Sequence, residues 1–331
     1  MQPPRPSGAA GSQSFTGRLR IGTRGSRLAL AQAHEVKARL LAAHPGLRED
    51  DVEIVVMSTK GDRILDRALA EIGGKGLFTE EIEAALLAGD IDLAVHSLKD
   101  MPTELPAGLQ LAAVLEREDP RDVFISRKAA SLQDLPPGAV VGTASLRRQA
   151  QVKALRPDLK VVTFRGNVET RLRKLSAGEV DATLLALAGL KRLGLAAEAT
   201  MILPADVMLP AVAQGAITIE TRAADPRVMA AIGPLNHRPT EIAVTAERAL
   251  LAALDGSCRT PIAAFAELSA DGTQVDLVAK LLSPDGGQCF TARDGGPIDQ
   301  AAAVGRRAGE RLRAEAGEDF FARLVNPGAA G

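Results

Sequence analysis

In the segment Asp92-Leu93-Ala94-Val95-His96-Ser97-Leu98-Lys99-Asp100-Met101-Pro102, an apolar run gives way to side chains that can carry charge or move a proton. His96, Ser97, Lys99 and Asp100 follow one another within a few residues, and Pro102 ends the stretch. Taken alone, such a stretch is also an ordinary strand end with solvated polar groups. A buried strand opening into titratable side chains is equally the form taken by the carboxyl end of a parallel sheet at a ligand cleft. A second candidate is Cys258, in Asp255-Gly256-Ser257-Cys258-Arg259-Thr260-Pro261. Arg259 and the polar turn favour its thiolate, the nucleophilic form of cysteine, although an inert loop thiol would look the same. Cys289 lies in a strand-like segment without such neighbours and is read as a packing residue.

Three strand-to-helix corners share one design. They are Ile21-Gly22-Thr23-Arg24-Gly25-Ser26, Val141-Gly142-Thr143-Ala144-Ser145-Leu146-Arg147-Arg148 and Phe164-Arg165-Gly166-Asn167-Val168-Glu169-Thr170-Arg171. In each, a glycine allows a tight turn and a small polar residue begins the helix, where unpaired N–H groups favour an anion. Arginine follows, and its planar fork suits carboxylates. One such corner is an ordinary capped helix with a solvated arginine. Three of them, the first two alike in sequence, suggest two related halves facing one cleft. Gly74-Lys75-Gly76-Leu77 lacks the hydroxyl of a phosphate-binding loop, so a ligand with several carboxylates is the better inference. The histidines (34, 44, 96 and 237) and the cysteines show no metal-ligand spacing, and no Gly-x-Ser-x-Gly elbow is present.

Along the chain, the pattern predicts strands at 18–23, 52–57 and 91–95, with helices at 26–43 and 77–87 between them. Strand-like segments at 110–115 and 122–126 should carry the chain across to a second run. That run has strands at 139–142, 159–164 and 181–186 and helices at 145–156, 167–177 and 187–193. A strand at 215–221 follows. Beyond residue 237 the texture changes to a helix at 240–254, alternating strands at 264–269, 274–282 and 288–292, and a polar helix at 299–315.

The formal net charge is −1, and aromatic residues make up only 2%, with no Trp or Tyr, which disfavours nucleic-acid binding. Two cysteines do not make a disulfide framework and suit a reducing cytosol. The opening sixteen residues lack an apolar signal core and read as a disordered tail, as does the ending. No apolar run is long enough to span a bilayer.

VHSLKDMP, IGTRGS, GGKGLFTEEIE, VGTASLRRQ, FRGNVETRL, LAGLKRLGL, LPAVAQGAITIE and the late GSC loop occur in the order in which they occur in porphobilinogen deaminases, also called hydroxymethylbilane synthases. Over about residues 18–325 the chain resembles that family. The resemblance implies an α/β fold: two periplasmic-binding-protein-like α/β domains flanking a cleft, plus a small C-terminal α+β domain. The corresponding division is a 1–17 tail, 18–115 with 216–234, 116–215, 235–325 for cofactor attachment, and a 326–331 tail. It further implies a transferase of tetrapyrrole and heme biosynthesis, acting as a cytoplasmic monomer. Four porphobilinogen molecules are deaminated and joined head to tail on a dipyrromethane cofactor held through Cys258, and the linear tetrapyrrole is then released by hydrolysis. Neither nucleic acid nor a membrane is a partner in this reading.

By the same resemblance Asp100 is the catalytic carboxylate, stabilising positive charge that develops on pyrrole nitrogens and helping to move the α-proton. Lys99, Thr143, Ser145, Arg147 and Arg148 serve the cofactor. Arg24, Ser26, Lys75, Arg165, Arg171, Arg192 and Gln214 serve substrate and the growing chain, whose rings each carry an acetate and a propionate. His96 takes a supporting role. The chain departs from common family usage at Glu71, Ala144 and Ala213. The competing reading is a non-enzymatic binder of a small polyanion, which would need neither Cys258 nor Asp100.

Overall fold

The computed structural model describes residues 15, 17–59, 61, 79–254 and 260–325. Two five-stranded sheets and one three-stranded sheet organise them. In the first, β1 (Leu19–Arg24), β2 (Val52–Met57) and β3 (Leu93–Ser97) run parallel, with β1 between the other two. Helices α1 (Arg27–Ala43) and α2 (Glu80–Ala88) intervene in sequence. The sheet closes with β4 (Leu109–Val114), which pairs only with β10 (Ile217–Arg222); β10 lies antiparallel to both β3 and β4.

The second sheet repeats this plan. Strands β6 (Val140–Gly142), β7 (Lys160–Val162) and β8 (Ala182–Ala186) are parallel, and β5 (Asp122–Ser126) lies antiparallel between β8 and β9 (Met201–Ile202). Its helices are α3 (Leu146–Leu155), α4 (Val168–Ser176) and α5 (Leu187–Arg192). In both sheets the antiparallel fourth strand is the first one entered after the chain crosses from the other half. The crossings are therefore 115–121, between β4 and β5, and 203–216, between β9 and β10. The 110–115 segment expected to cross remains in the first sheet.

The remaining elements are α6 (Pro226–Ile232), α7 (Arg238–Ala253), the antiparallel sheet β11 (Ile262–Leu268), β12 (Gln274–Leu282) and β13 (Cys289–Pro297), then α8 (Ala301–Ala316) and α9 (Glu318–Val325). Helices α6 and α9 and strand β9 were not expected. β13 also runs past its expected end. Its Asp294-Gly295-Gly296-Pro297 stretch reads as a turn, yet it pairs with Gln274–Leu277, so cross-strand pairing overrides local propensity. Gly305 of α8 allows close packing on α7, since a Cβ there would fall 1.9 Å from the Ala246 carbonyl oxygen.

Two expectations need correction. Phe15, assigned to the tail, is buried in the first half's core, and its ring meets His44 edge-on. Cys289, read as packing, is exposed at the start of edge strand β13. Each large sheet has apolar clusters of its own. The C-terminal core reaches further: Leu98, Met101, Val212, Ala213 and Ala216 all bury into it beside α7 and β11.

Candidate active site

Strand β3 extends to Ser97, two residues beyond the expected end, and then makes a single 3-10 turn over Leu98–Asp100. Lys99 and Asp100 are exposed, whereas Leu98 and Met101 on either side of them are buried in the C-terminal core. Each buried side chain contributes about 2 kcal/mol to holding the turn. The Leu98 N–H donates to the Ala216 carbonyl at 3.0 Å, and Arg248 of α7 donates to the Pro102 carbonyl at 2.6 Å. A carboxylate and an ammonium are thus presented on a backbone fixed from below, where preorganised charge is most effective.

Lys99 is exposed as a residue yet crowded by protein, and this desolvation pulls its pKa down to about 8 despite the support of Asp100. Its ammonium donates to Gln214 Oε1 at 3.2 Å. Gln214, on the returning crossing, in turn donates to Asp122 Oδ1 at 2.8 Å and to the Pro120 carbonyl at 2.7 Å. Asp122 is fully buried at the head of β5, where it also accepts from Arg147 at 2.6 Å and Arg148 at 2.8 Å. These two guanidinium groups hold its carboxyl well below the usual carboxylate range, against the effect of burial.

The α3 corner is therefore more enclosed than its sequence suggests. Arg147 and Arg148 are buried, and their remaining forks donate to the Leu209 and Leu184 carbonyls. The Nε of each is buried and unpartnered among the described residues, as is one terminal nitrogen of Arg165. Arg171 donates to the Gly166 carbonyl at 2.7 Å, and burial beside Arg148 and Arg165 pulls its pKa down to about 10. Among the described residues, five cations (Lys99, Arg147, Arg148, Arg165 and Arg171) thus adjoin two carboxylates, Asp100 and Asp122. That excess positive charge, with orphaned donors inside it, fits a dipyrromethane bearing acetate and propionate groups.

The helix starts are as expected: Ser26, Ser145 and Asn167 each accept from an N–H of the first turn. Thr143 accepts from the Ser145 N–H at 3.2 Å. The glycines act differently from expectation. Gly22 and Gly142 are needed for space, because a Cβ would meet Ile91 at 2.3 Å and Phe164 at 2.6 Å. Only Gly166 adopts a left-handed φ, +128°.

Arg24, Ser26, His96, Ser97 and Asp100 line one cavity, together with Gln32, which sequence reasoning missed. Gln32 donates to the Ser97 hydroxyl at 2.8 Å. His96 is buried against Glu220 at 3.1 Å, consistent with a supporting role. Arg192 is not turned toward that cavity. It spans the halves, bonding Glu35 of α1 at 3.3 Å and the Gly215 carbonyl at 2.9 Å. Lys75 and Cys258 lie outside the described residues, as does Glu71. Ala213 has φ +59°, a left-handed conformation that favours the glycine common there in the family and costs an alanine about 1 kcal/mol. Asp122 was also missed, because nothing in Arg-Asp-Val-Phe-Ile-Ser marks it as more than a strand start.

Comparison with known proteins gives matches over most of the chain. Residues 19–230 match the family model described as porphobilinogen deaminase, dipyromethane cofactor binding domain, and 241–314 match the porphobilinogen deaminase C-terminal domain. The chain is 56% identical over 318 residues to a chloroplastic porphobilinogen deaminase of Oryza sativa subsp. japonica, covering 95% of this chain and 88% of that protein. Two solved structures share weaker similarity. They are an ABC transporter periplasmic substrate-binding protein from Coxiella burnetii (TM-score 0.42, 17% identity, 70% of this chain and 96% of that one) and the Bordetella pertussis BvgS periplasmic VFT2 domain (TM-score 0.39, 16% identity, 65% and 86%). At these scores the description of two repeated halves stands on the strand pairing itself.

Proposed function

The chain belongs to the porphobilinogen deaminase family, and on that premise we propose that it is a hydroxymethylbilane synthase. It deaminates four porphobilinogen molecules, condenses them head to tail on a covalent dipyrromethane primer, and releases the linear tetrapyrrole hydroxymethylbilane by hydrolysis. The observation that carries this reading is the pairing of an anchored, exposed Asp100 with a cation cluster that exceeds its own carboxylates.

Dipyrromethane, when bound, supplies the free pyrrole α-position from which the chain is extended. Lys99, Arg147, Arg148, Thr143 and Ser145 hold its side-chain carboxylates, and Cys258 is its attachment point. Asp100 faces substrate pyrrole N–H groups, stabilises positive charge as ammonia departs, and accepts the α-proton at coupling. Arg24 and Ser26 receive porphobilinogen carboxylates in the cavity beside Asp100. Arg165, Arg171, Lys75, Arg192 and Gln214 serve the lengthening chain, the last two by fixing the crossing beside it. Residues 18–115 with 216–234, 116–215 and 235–325 form the three working units in this reading, flanked by the tails 1–17 and 326–331. A monomer in the cytoplasm completes it. No helix among the described residues is long and apolar enough to cross a membrane.

Intact mass of the purified protein, with Ehrlich's reagent as a colour check, tests the reading. The expected result is a mass excess of two linked pyrroles that disappears in Cys258→Ser. An unmodified mass from a porphobilinogen-competent host would count decisively against it.

A further inference from the structure

Asp122 is fully buried and makes hydrogen bonds from three directions. Oδ2 accepts from Arg147 at 2.6 Å, while Oδ1 accepts from Arg148 and from Gln214, each at 2.8 Å. The three donors come from different places: the arginines from α3, and the amide from the returning crossing. Gln214 then passes the contact on, taking a hydrogen bond from Lys99 of the first half through its own Oε1. Its orientation is not arbitrary. Its Nε2 donates to two acceptors, Asp122 Oδ1 and the Pro120 carbonyl, so Oε1 is left for the lysine.

We propose that Asp122 is a positioning residue that joins the two arginines of α3 to Lys99 across the crossing, through Gln214, so that the cationic site behaves as one charged unit spanning both halves. The carboxylate does two things there. It fixes each guanidinium in a single orientation, since the paired nitrogens can no longer rotate away. It also adds, after the larger effect of Asp100, to the negative charge that helps keep Lys99 protonated among cations. The groups that act on Lys99 are Asp100 on its own turn, Arg147 and Arg148 on α3, and Asp122 on β5; the carboxylates raise its pKa, while the arginines and desolvation lower it.

This inference rests on the proposed function for the use of the coupling, but the coupling itself can be read without turnover. In carbon-13 lysine-labelled holoprotein, the Lys99 Cε signal is identified by its loss in Lys99→Arg and followed through a pH titration. Asp122→Asn, which keeps the shape and removes the charge, is expected to move the Lys99 midpoint below that of the wild-type protein. Asp122→Glu should bring it back toward wild type. A role confined to packing would lower thermal stability and leave that midpoint in place, and an unchanged midpoint in a folded Asp122→Asn protein overturns the proposal. Should Asp122→Asn not fold, Gln214→Leu cuts the link with the arginine pairs intact. It must also lower the midpoint, and an unchanged value there is equally fatal. The readout is independent of the catalytic reading, which fails instead on an unmodified intact mass.

Discussion

Arg248 is the point at which the Asp100 turn can be loosened without touching the site. It reaches from α7, donating to the Pro102 carbonyl at 2.6 Å and to the Met101 carbonyl at 3.3 Å. Burial lowers its pKa, and among the described residues no carboxylate pairs with it. The protein therefore keeps a desolvated cation whose hydrogen bonds go to the backbone just after Asp100. In Arg248→Met the apolar stem remains and both bonds disappear. The shorter bond is worth about 1.5–3 kcal/mol and the longer one less. Removing the buried charge offsets part of that loss, so net destabilisation should be about 1–2 kcal/mol, a shift of a few degrees in melting temperature. The effect on turnover should be larger. A carboxylate free to drift by about 1 Å loses roughly 10–100-fold in rate, equivalent to about 1.4–2.7 kcal/mol. The assay is single-turnover kcat on protein shown by intact mass to be fully loaded, set against calorimetric stability. A folded, loaded Arg248→Met enzyme with kcat within about two-fold of wild type would refute the claim that this turn positions Asp100.

Two further outcomes follow from the same turn. Asp100→Asn removes the charge from an exposed position and keeps the side chain's shape, so the variant should carry its cofactor normally and lose about 10²–10³-fold in kcat. Near-normal turnover would remove Asp100 from the charge-stabilising role. For Lys99, whose pKa is depressed to about 8, the hold on the cofactor's carboxylates should weaken as pH rises through that value, visible as slower cofactor incorporation into apoprotein that is absent in Lys99→Arg. The stability effect has the opposite sense. Between about 8 and the ordinary value of 10.5 the unfolded chain binds more protons, so the cost of the charged lysine is full below 8 and fades as pH rises through that window.

The elements were legible because their signals are local. Ser26, Ser145 and Asn167 mark helix starts by a side chain that accepts from its own first turn. The apolar run of β3 announces a buried strand whichever partner it finds. What escaped the sequence depends on distant partners. Arg147 and Arg148 were placed correctly on α3, but their burial is imposed by Asp122, 25 and 26 residues away, and by carbonyls 62 and 36 residues away. Arg192, given to substrate by the family resemblance, is fixed to Glu35, 157 residues distant. Gly22 and Gly142 looked like turn residues, and the need for them is set by Ile91 and Phe164.

A further set of contacts converges on the crossings, which gives the site a property that neither half has alone. Arg117, on the outgoing crossing, holds the Gln214 carbonyl and pairs with the buried Glu247 of α7, a pair whose disruption costs about 3–5 kcal/mol. Glu247 also accepts from the N–H of Ala213, fixing the left-handed residue next to Gln214. Gln214 is therefore rigid with respect to α7, and so is the Leu98–Asp100 turn, through Arg248. The arginines and Asp122 belong to the other half. Any separation of the halves must therefore act on the contact between Gln214 and Asp122, with two opposed effects on Lys99. Loss of an acceptor or of Asp122 lowers the lysine pKa, and entry of water raises it. Desolvation is the largest influence on Lys99, so the entry of water should outweigh the loss of Asp122 and raise its pKa, a shift that the Lys99 titration would read directly.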